Sequence, residues 1–210
     1  LEDIDKLPNS EMIIEDYILF EKEVSVIVAR NVKGDIKCYR TVEMEFNNIS
    51  NQVEYVISPG KISEEIDNEA QKLAIKLSES LDCVGLLAVE MFMNKNKILV
   101  NEVAPRPHNS GHFSIEACES SQFQQHIRAI FNLDLGETNH SGSAIMLNLV
   151  GDEGFTGKVC YENLDKVFKG KSANLHIYGK EETRPNRKMG HVTIICDKFE
   201  EAYKKAKTLK

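Results

Sequence analysis

One segment of the chain, residues 100–112, decides both the predicted fold and the predicted site, and it reads VNEVAPRPHNSGH. It combines a carboxylate, an arginine, two histidines, two asparagines and a serine with two prolines and a glycine. Two apolar runs precede its polar part: residues 86–93, interrupted only by Glu90, and residues 98–100. Both runs predict β-strands, joined by a polar turn at residues 94–97. The segment therefore begins as a strand and continues as a polar loop.

Each of the two predicted strands carries one acidic residue, Glu90 or Glu102. Antiparallel pairing across a short turn would set these side chains next to each other on one face of the sheet. Two adjacent carboxylates raise each other's pKa unless a cation lies between them. Two oxygen ligands from the protein suit Mg²⁺ that is also held by substrate phosphates. The alternative is that both are solvated acids at strand ends.

Composition places the chain among globular proteins and restricts its partners. Its 210 residues suffice for one large domain or one and a half ordinary ones. A net charge of −7 argues against a protein that mainly binds nucleic acid. The five cysteines are scattered without metal-ligand spacing, which predicts reduced thiols in a cytoplasmic protein. No apolar run approaches membrane-spanning length and no signal peptide opens the sequence, so no membrane partner is expected.

The order of the predicted elements is strands, helix, strands, helices, which indicates an α+β fold with a largely antiparallel sheet. A shift in composition near residue 139 predicts two parts, residues 1–139 and a small β-rich part with a terminal helix at residues 140–210. A long helix is predicted to follow the strand at residues 52–58, with Ser63 as its N-cap. The other predicted strands are residues 11–18, 23–31, 36–45, 52–58, 143–150, 174–178 and 191–196, and the other predicted helices are residues 114–121, 123–131, 164–168 and 199–209.

Two further polar clusters are candidates for ligand binding. The first lies at the end of one predicted strand and the start of the next, and it comprises Glu15, Asp16, Tyr17, Ile18 and Glu23. It could contact a nucleotide base and ribose, or it could be solvated. The second lies in a loop with proline and glycine and contains four cations, Lys180, Arg184, Arg187 and Lys188. Its clustering in an acidic protein favours a pocket for an anionic substrate over a solvated basic loop.

Three motifs together resemble one enzyme family. They are Asn-Glu-Val-Ala-Pro-Arg-Pro-His-Asn-Ser-Gly-His at residues 101–112, Val-Glu-Met-Phe at residues 89–92, and Arg-Pro-Asn-Arg-Lys-Met-Gly-His at residues 184–191. In this order they closely resemble the 5-(carboxyamino)imidazole ribonucleotide synthases, the ATP-grasp ligases of bacterial and fungal purine biosynthesis. The resemblance runs through nearly the whole chain.

The resemblance implies a reaction, two cofactors and a set of roles. ATP, with Mg²⁺, would phosphorylate bicarbonate to carboxyphosphate, and 5-aminoimidazole ribonucleotide would take up the carboxyl group. The roles it implies are an adenine hinge at Glu15, Asp16, Tyr17 and Ile18, a ribose contact at Glu23, Mg²⁺ ligands at Glu90 and Glu102, phosphate contacts at Asn101 and Glu102, catalytic residues Arg106, His108 and Asn109, and substrate-phosphate contacts at Lys180, Arg184, Arg187 and Lys188.

The resemblance is incomplete in two respects. Where the family often has Glu-Asn-x-His, this chain reads Glu43-Met44-Glu45-Phe46, so a nucleotide contact is in question there. The likeness also covers only the C-terminal part of the family's enzyme, so we expect the N-terminal domain and glycine-rich lid to lie outside the sequence. The family also suggests a homodimer. The alternatives are another carboxylating or formylating ATP-grasp ligase, or a noncatalytic nucleotide-binding module.

Overall fold

The fold is built on one large antiparallel sheet. In the computed structural model, residues 11–162, 164–169 and 172–209 are described, and nine strands within them form this sheet. The order is β6-β5-β1-β3-β4-β7-β11-β9, with β2 beside β1, while β8 and β10 form a separate pair. The strands are β1 Lys22–Arg30, β2 Ile36–Cys38, β3 Val42–Phe46, β4 Val53–Ser58, β5 Gly85–Asn94, β6 Lys97–Ala104, β7 Ser143–Val150, β8 Gly157–Lys158, β9 Ala173–Ile177, β10 Glu182–Thr183 and β11 Lys188–Cys196.

Helices cover both faces of the sheet, because the alternating side chains of its strands are apolar on each side. On one face, Val24, Val26 and Val28 of β1 are fully buried in a cluster that includes the long helix α1, and α4 and α5 pack farther along the same face. On the opposite face, α3 and a polar loop pack against β1 and β5. The helices are α1 Glu64–Ser80, α2 Ser114–Ala117, α3 Gln122–Ile130, α4 Leu164–Lys169 and α5 Phe199–Thr208.

Most of the predicted elements are present, and the predicted α+β class with a mostly antiparallel sheet is confirmed. Ser63 is the N-cap of α1, as predicted, and its side chain accepts a hydrogen bond from the Ile66 backbone N–H at 3.4 Å. The cap satisfies one of the free N–H groups at the helix start. Among the described residues, no helix is long and apolar enough to cross a membrane.

Two strand predictions are wrong in part or in full. Residues 11–18 form no regular structure and are mostly exposed, because their backbone pairs with no strand in the described part of the chain. The predicted strand at residues 36–45 is divided into β2 and β3. At this interruption Asp67 of α1 accepts hydrogen bonds from the Thr41 backbone N–H at 3.0 Å and the Arg40 side chain at 3.2 Å. These contacts replace the pairing that a continuous strand would make.

The sheet passes without a break across the predicted division at residue 139. Strand β4 pairs with β7 in the register Tyr55↔Leu147 to Ser58↔Ala144, so the segment after residue 139 extends the sheet of the segment before it. The division into residues 1–139 and 140–210 stays a prediction about domains. The pairing itself brings loops from both segments to the same face of the sheet.

Replacement of Asp67 by alanine should destabilise the fold, because the buried Thr41 N–H would lose its acceptor and α1 its attachment to the β2–β3 connection. A buried donor left without a partner costs about 1–3 kcal/mol. Urea unfolding measures the free energy directly. Glu69→Ala is the matched control, because Glu69 is an exposed acid of the same helix. Equal stability of the two variants would show that the Asp67 contacts contribute nothing.

Candidate active site

Three carboxylates lie together on the face of the sheet opposite α1. Glu90 of β5 is directly opposite Glu102 of β6, as predicted, and Ser25 of β1 is opposite Glu90 on its other side. Glu23 lies two residues before Ser25 and so points to the same face. Burial, followed by the charges of Glu90 and Glu102, raises the pKa of Glu23 to about 7. Burial and Glu102 likewise raise the pKa of Glu90, against the opposing charges of Lys188 and Arg106.

A β-bulge in β6 makes this alignment possible. Glu102 pairs with Glu90 and Val100 pairs with Met91, so Asn101 is the extra residue of β6 and has no partner in the register. A bulge rotates the side chains that follow it relative to those before it. Glu102 therefore faces the site while Ile98, earlier in the same strand, is buried in the core beside α1. Asn101 itself is exposed.

A short loop after β6 holds His108 against the carboxylates. Ser110 is buried, and its hydroxyl lies 2.9 Å from both the Ser25 hydroxyl and His108 Nδ1. On the other side of the ring, His108 Nε2 lies 3.3 Å from Glu90 Oε1. Burial, followed by the charges of Arg106 and Lys188, lowers the pKa of His108 to about 4. His108 is therefore neutral at pH 7, with both ring nitrogens in contact with defined groups.

Gln122, the first residue of α3, fixes the path of this loop. Its side chain accepts a hydrogen bond from the His108 N–H at 2.9 Å and donates to the His108 carbonyl at 2.8 Å. The same amide nitrogen lies 2.8 Å from His112 Nδ1. A Cβ at Gly111 would come within 2.7 Å of the Gln122 amide oxygen, so only glycine lets the loop approach it this closely. The glycine of the loop is thus explained by packing.

The C-terminal part of the sheet contributes a cation to the same face. The Lys188 ammonium donates to Asn109 Oδ1 at 3.0 Å, and Asn109 also pairs with Asn148 of β7. Burial lowers the pKa of Lys188, and so do the charges of Arg106 and Lys180, against the opposing effect of Glu90. A cavity of about 250 Å³ opens between the two parts, and Glu90, Glu102, His108, Asn109 and Lys188 are among the residues that line it.

The other three predicted cations are less closely associated with this cavity. Lys180 lies next to Lys188: its ammonium donates to the Lys188 carbonyl and lies 5.7 Å from the centre of the Tyr178 ring. Arg187 is half-buried and donates to the Glu182 carbonyl at 2.8 Å. Arg184 is exposed. Of these four cations, Lys188 is therefore the one whose charge acts on Glu90, and Lys180 lies next to it.

The predicted adenine-binding residues lie in the extended segment before β1. Glu15, Asp16 and Tyr17 are exposed and Ile18 is half-buried, without a strand around them. The segment joins the sheet only at its end, where Asn94 donates to the Leu19 carbonyl and Phe20 stacks on Phe92 at 4.5 Å. It therefore ends beside the strands that carry Glu23, Glu90 and Glu102.

Arg106 and the metal prediction complete the set of predicted site residues. The Arg106 side chain is exposed and donates to the Pro107 carbonyl at 3.1 Å, near enough to Glu90 to lower its pKa. Within the described ranges, no group of three or more histidine, cysteine or acidic side chains is arranged to hold a metal ion. Two facing carboxylates still fit Mg²⁺ shared with substrate phosphates, since such sites use one or two protein carboxylates.

Behind the loop lies a set of stacked rings, and the motifs do not indicate that these rings contact one another. His191 stacks on His176 with ring centres 4.5 Å apart and lies 4.9 Å from His112. The Tyr178 hydroxyl is 3.0 Å from His191 Nδ1, and His176 Nε2 contacts Glu116. Burial is the largest cause that lowers the pKa of His112 to about 4 and that of His191 to about 3.

Several residues of the site escaped prediction from sequence. Ser25, Ser110 and Gln122 are common polar residues whose importance arises only from their contacts. Asn148 did carry a signal, because it interrupts an apolar run at residues 144–150 in the same way that Glu90 interrupts its own run. A buried polar side chain in such a strand requires a partner, which here is Asn109.

Comparison with protein families and solved structures agrees with this geometry. The family model of the ATP-grasp domain matches residues 2–123, more than half of the chain. The chain belongs to the ATP-grasp family. Residues 144–205 of this ATP-grasp chain match the family model of the phosphoribosylaminoimidazole carboxylase C-terminal domain. The resemblance found in the motifs is thereby confirmed.

Individual relatives share this ATP-grasp architecture. The N5-carboxyaminoimidazole ribonucleotide synthase of Bacillus subtilis is 44% identical over 191 residues, covering 90% of this chain and 48% of the relative. The crystal structure of the Thermotoga maritima synthetase has a TM-score of 0.90 at 45% identity and covers 99% of this chain and 56% of its own. An Aspergillus clavatus structure, in complex with ADP and 5-aminoimidazole ribonucleotide, has a TM-score of 0.82 at 32% identity and covers 92% and 52%. The chain spans about half the length of these relatives.

The buried neutral histidines predict a dependence of stability on pH. The pKa of His191 is about 3 in the folded protein, against the ordinary value of 6.5 for a histidine in an unfolded chain, so the unfolded chain binds the extra proton. The contribution of His191 to stability is therefore complete above pH 6.5 and is lost as the pH falls towards 3. His191→Phe should reduce this loss by about 1 kcal/mol per pH unit below about pH 6. Urea unfolding between about pH 4.5 and 8 measures the slope.

Tyr178→Phe is the control for this experiment, since it removes the hydroxyl beside His191 but keeps the titrating ring. Its slope should match that of the original chain even if its stability is lower. A slope in His191→Phe that equals both would contradict the prediction.

Proposed function

We propose that the protein containing this chain carboxylates 5-aminoimidazole ribonucleotide with bicarbonate and ATP. A bicarbonate oxygen would attack the γ-phosphorus of ATP, giving carboxyphosphate and ADP. The exocyclic amine would then attack the carboxyl carbon, releasing phosphate and giving 5-(carboxyamino)imidazole ribonucleotide. The observation that carries the proposal is the meeting of Glu90 and Glu102 with His108, Asn109 and Lys188 around one cavity.

The carboxylates form the nucleotide side of the proposed site. Glu90 and Glu102 would hold Mg²⁺, which when bound neutralises charge on the transferred phosphoryl group. Asn101, exposed by the bulge, would contact the phosphates. Glu23 would hold the ribose, and its raised pKa reflects first its burial and then its position beside the other two acids. Glu15, Asp16, Tyr17 and Ile18 would line the adenine at the neighbouring edge of the sheet.

The loop after β6 forms the proposed transfer point. Arg106 and Lys188 supply positive charge near the carboxylates, which favours binding of bicarbonate and stabilises negative charge that develops in the transition state. His108 is held neutral, so it can hydrogen-bond to the carboxyl group without adding a further charge. Asn109 lies between the two segments and contacts Lys188.

The basic segment would bind the ribose phosphate of the imidazole substrate. Lys180 and Lys188 lie together, and Arg184 and Arg187 flank the turn in the segment between them. Anchoring a remote phosphate fixes the position of the reacting amine, which lowers the entropic part of the barrier. The proposal includes a cytoplasmic homodimer as the working form of the complete protein.

The full-length protein should release ADP only when both bicarbonate and 5-aminoimidazole ribonucleotide are present. Glu102→Gln should lower kcat by roughly 100-fold or more, the scale typical for loss of a group that stabilises transition-state charge. A coupled assay of ADP release measures this. Glu69→Gln, on α1 at the opposite face, is the matched control and should keep full activity.

The same assay separates the competing functions. Activity that depends on glycinamide ribonucleotide or biotin instead would indicate another ATP-grasp ligase. A noncatalytic nucleotide-binding module would keep its function after Glu102→Gln, and the complete protein would release no substrate-dependent ADP. Either result would contradict the proposal.

The 210-residue chain by itself should turn over little or no ATP. Its proposed adenine-binding segment, residues 15–18, is mostly exposed, and no other described residues cover it. An adenine bound there would stay in contact with water, so its affinity would be low. The measurement is ADP release by this chain with bicarbonate and the imidazole ribonucleotide at saturating concentrations. Turnover at the rate of the full-length protein would refute this expectation.

A further inference from the structure

A pair of asparagine side chains connects the proposed transfer point to the centre of the sheet. Asn148 lies in β7 and is only 5% exposed, among apolar neighbours in the strand. Its amide pairs reciprocally with that of Asn109: Asn109 Nδ2 donates to Asn148 Oδ1 at 2.8 Å, and Asn148 Nδ2 donates to Asn109 Oδ1 at 3.0 Å. A buried amide pair of this kind joins the site loop to a strand 39 positions later in the chain.

The surrounding groups determine which way both amides face. Asn148 Nδ2 also donates to the Val53 carbonyl of β4 at 2.9 Å, and a carbonyl can only accept. The oxygen of Asn148 must therefore face Asn109. At the other end, Asn109 Oδ1 accepts from the Lys188 ammonium at 3.0 Å, and an ammonium can only donate. Turning either amide would place donor against donor at one end and acceptor against acceptor at the other.

Strand β4 thus fixes Asn148, Asn148 fixes Asn109, and Asn109 holds the Lys188 ammonium. Lys188 is half-buried on β11 and influences the pKa of Glu90, so its position matters for the charge balance of the cavity. Without Asn148, Asn109 and Lys188 would lose their attachment to β4 and could move together from their present position. The cavity would keep its charged groups but lose their alignment.

We propose that Asn148 is a positioning residue of the active site, which acts through the Asn109 amide to orient Asn109 and Lys188 towards the anionic group in transfer. The expected effect on the reaction rests on the proposed function. The expected effect on the position of Asn109 rests on the hydrogen bonds alone. Asn148 itself touches no substrate. Its effect on the reaction should therefore exist only while Asn109 is present.

A double-mutant cycle in the full-length protein tests this dependence. Asn148→Ala should lower kcat/KM for bicarbonate by roughly tenfold or more, as the loss of a residue that hydrogen-bonds to a site residue typically does. Asn109→Ala combined with Asn148→Ala should be no slower than Asn109→Ala alone, since residues that act through one contact are not additive. Multiplied effects in the double variant, or kinetics unchanged in Asn148→Ala, would overturn the proposal.

A second variant decides the question even where Asn109→Ala is too slow to measure. Asn148→Asp can donate to the Val53 carbonyl only while its carboxyl group is protonated, so its kcat/KM relative to the original protein should rise as the pH falls. The loss in Asn148→Ala should not vary with pH in this way. An Asn148→Asp profile parallel to that of the original protein would contradict the positioning role.

Thr193→Val is the matched control for both variants. Thr193 is fully buried on the neighbouring strand β11, and its hydroxyl has no hydrogen-bond partner in the described part of the chain. This variant should keep the original kinetics. Circular dichroism and thermal melting should show each variant folded at the assay temperature, so that loss of the fold is not mistaken for loss of alignment.

A readout that needs no activity separates this proposal from the proposed function. In protein labelled with ¹⁵N-asparagine, the side-chain amide signals of Asn109, assigned by their absence in Asn109→Asp, should shift and exchange faster with water in Asn148→Ala. They should be unchanged in Thr193→Val. If the original protein released no ADP, the proposed function would be refuted. If the Asn109 signals were unchanged in Asn148→Ala, the positioning role would be refuted, whatever the activity.

Discussion

The pairing of β4 with β7 is the constraint on which the candidate site depends. It joins a sheet built from residues 22–104 to strands built from residues 143–196, through the register Tyr55↔Leu147. Because β11 follows β7 in the sheet, this pairing places Lys188 over the loop that carries Asn109. A separate C-terminal unit joined by a linker would not hold a cation in contact with Asn109. The site is therefore assembled by the sheet itself.

The charges of the site balance only in part. Glu23, Glu90 and Glu102 lie together, and burial and mutual repulsion raise the pKa of Glu23 and Glu90. Lys188 and Arg106 oppose the effect on Glu90. Buried or half-buried charges that repel each other cost stability, and proteins retain such arrangements mainly at functional sites. A bound metal ion would offset the charge of the carboxylates, and bound phosphate groups would offset the charge of Lys188 and Arg106.

The neutral histidines show a different use of burial. His108, His112 and His191 all have a pKa lowered to about 4 or below, chiefly because the rings lie away from water. Stacking of His191 on His176 and the contacts of Gln122 with the loop keep these rings in place. These three rings are thus polar but carry no charge at neutral pH. The carboxylates and cations of the site are therefore the main source of its electrostatic selectivity.

The sequence alone determined the class of the fold and most of its elements. These follow from local causes: alternating apolar residues, a turn of fixed length, and an N-cap at Ser63. It also indicated the family, because the loop motif and the basic segment have residue types and order that few families share. The apolar pattern at residues 11–18 was misleading, since such a pattern describes a strand's faces but supplies no pairing partner.

The tertiary structure alone decided which polar residues meet. The bulge at Asn101 sets Glu102, and not Asn101, opposite Glu90. The partnership of Asn148 with Asn109 and the effect of Lys188 on Glu90 depend on strand register between distant segments. Register is set by the summed packing of many side chains on both faces of the sheet, not by any short motif. Sequence patterns specify what each strand can bury; only the assembled sheet specifies which strand lies beside it.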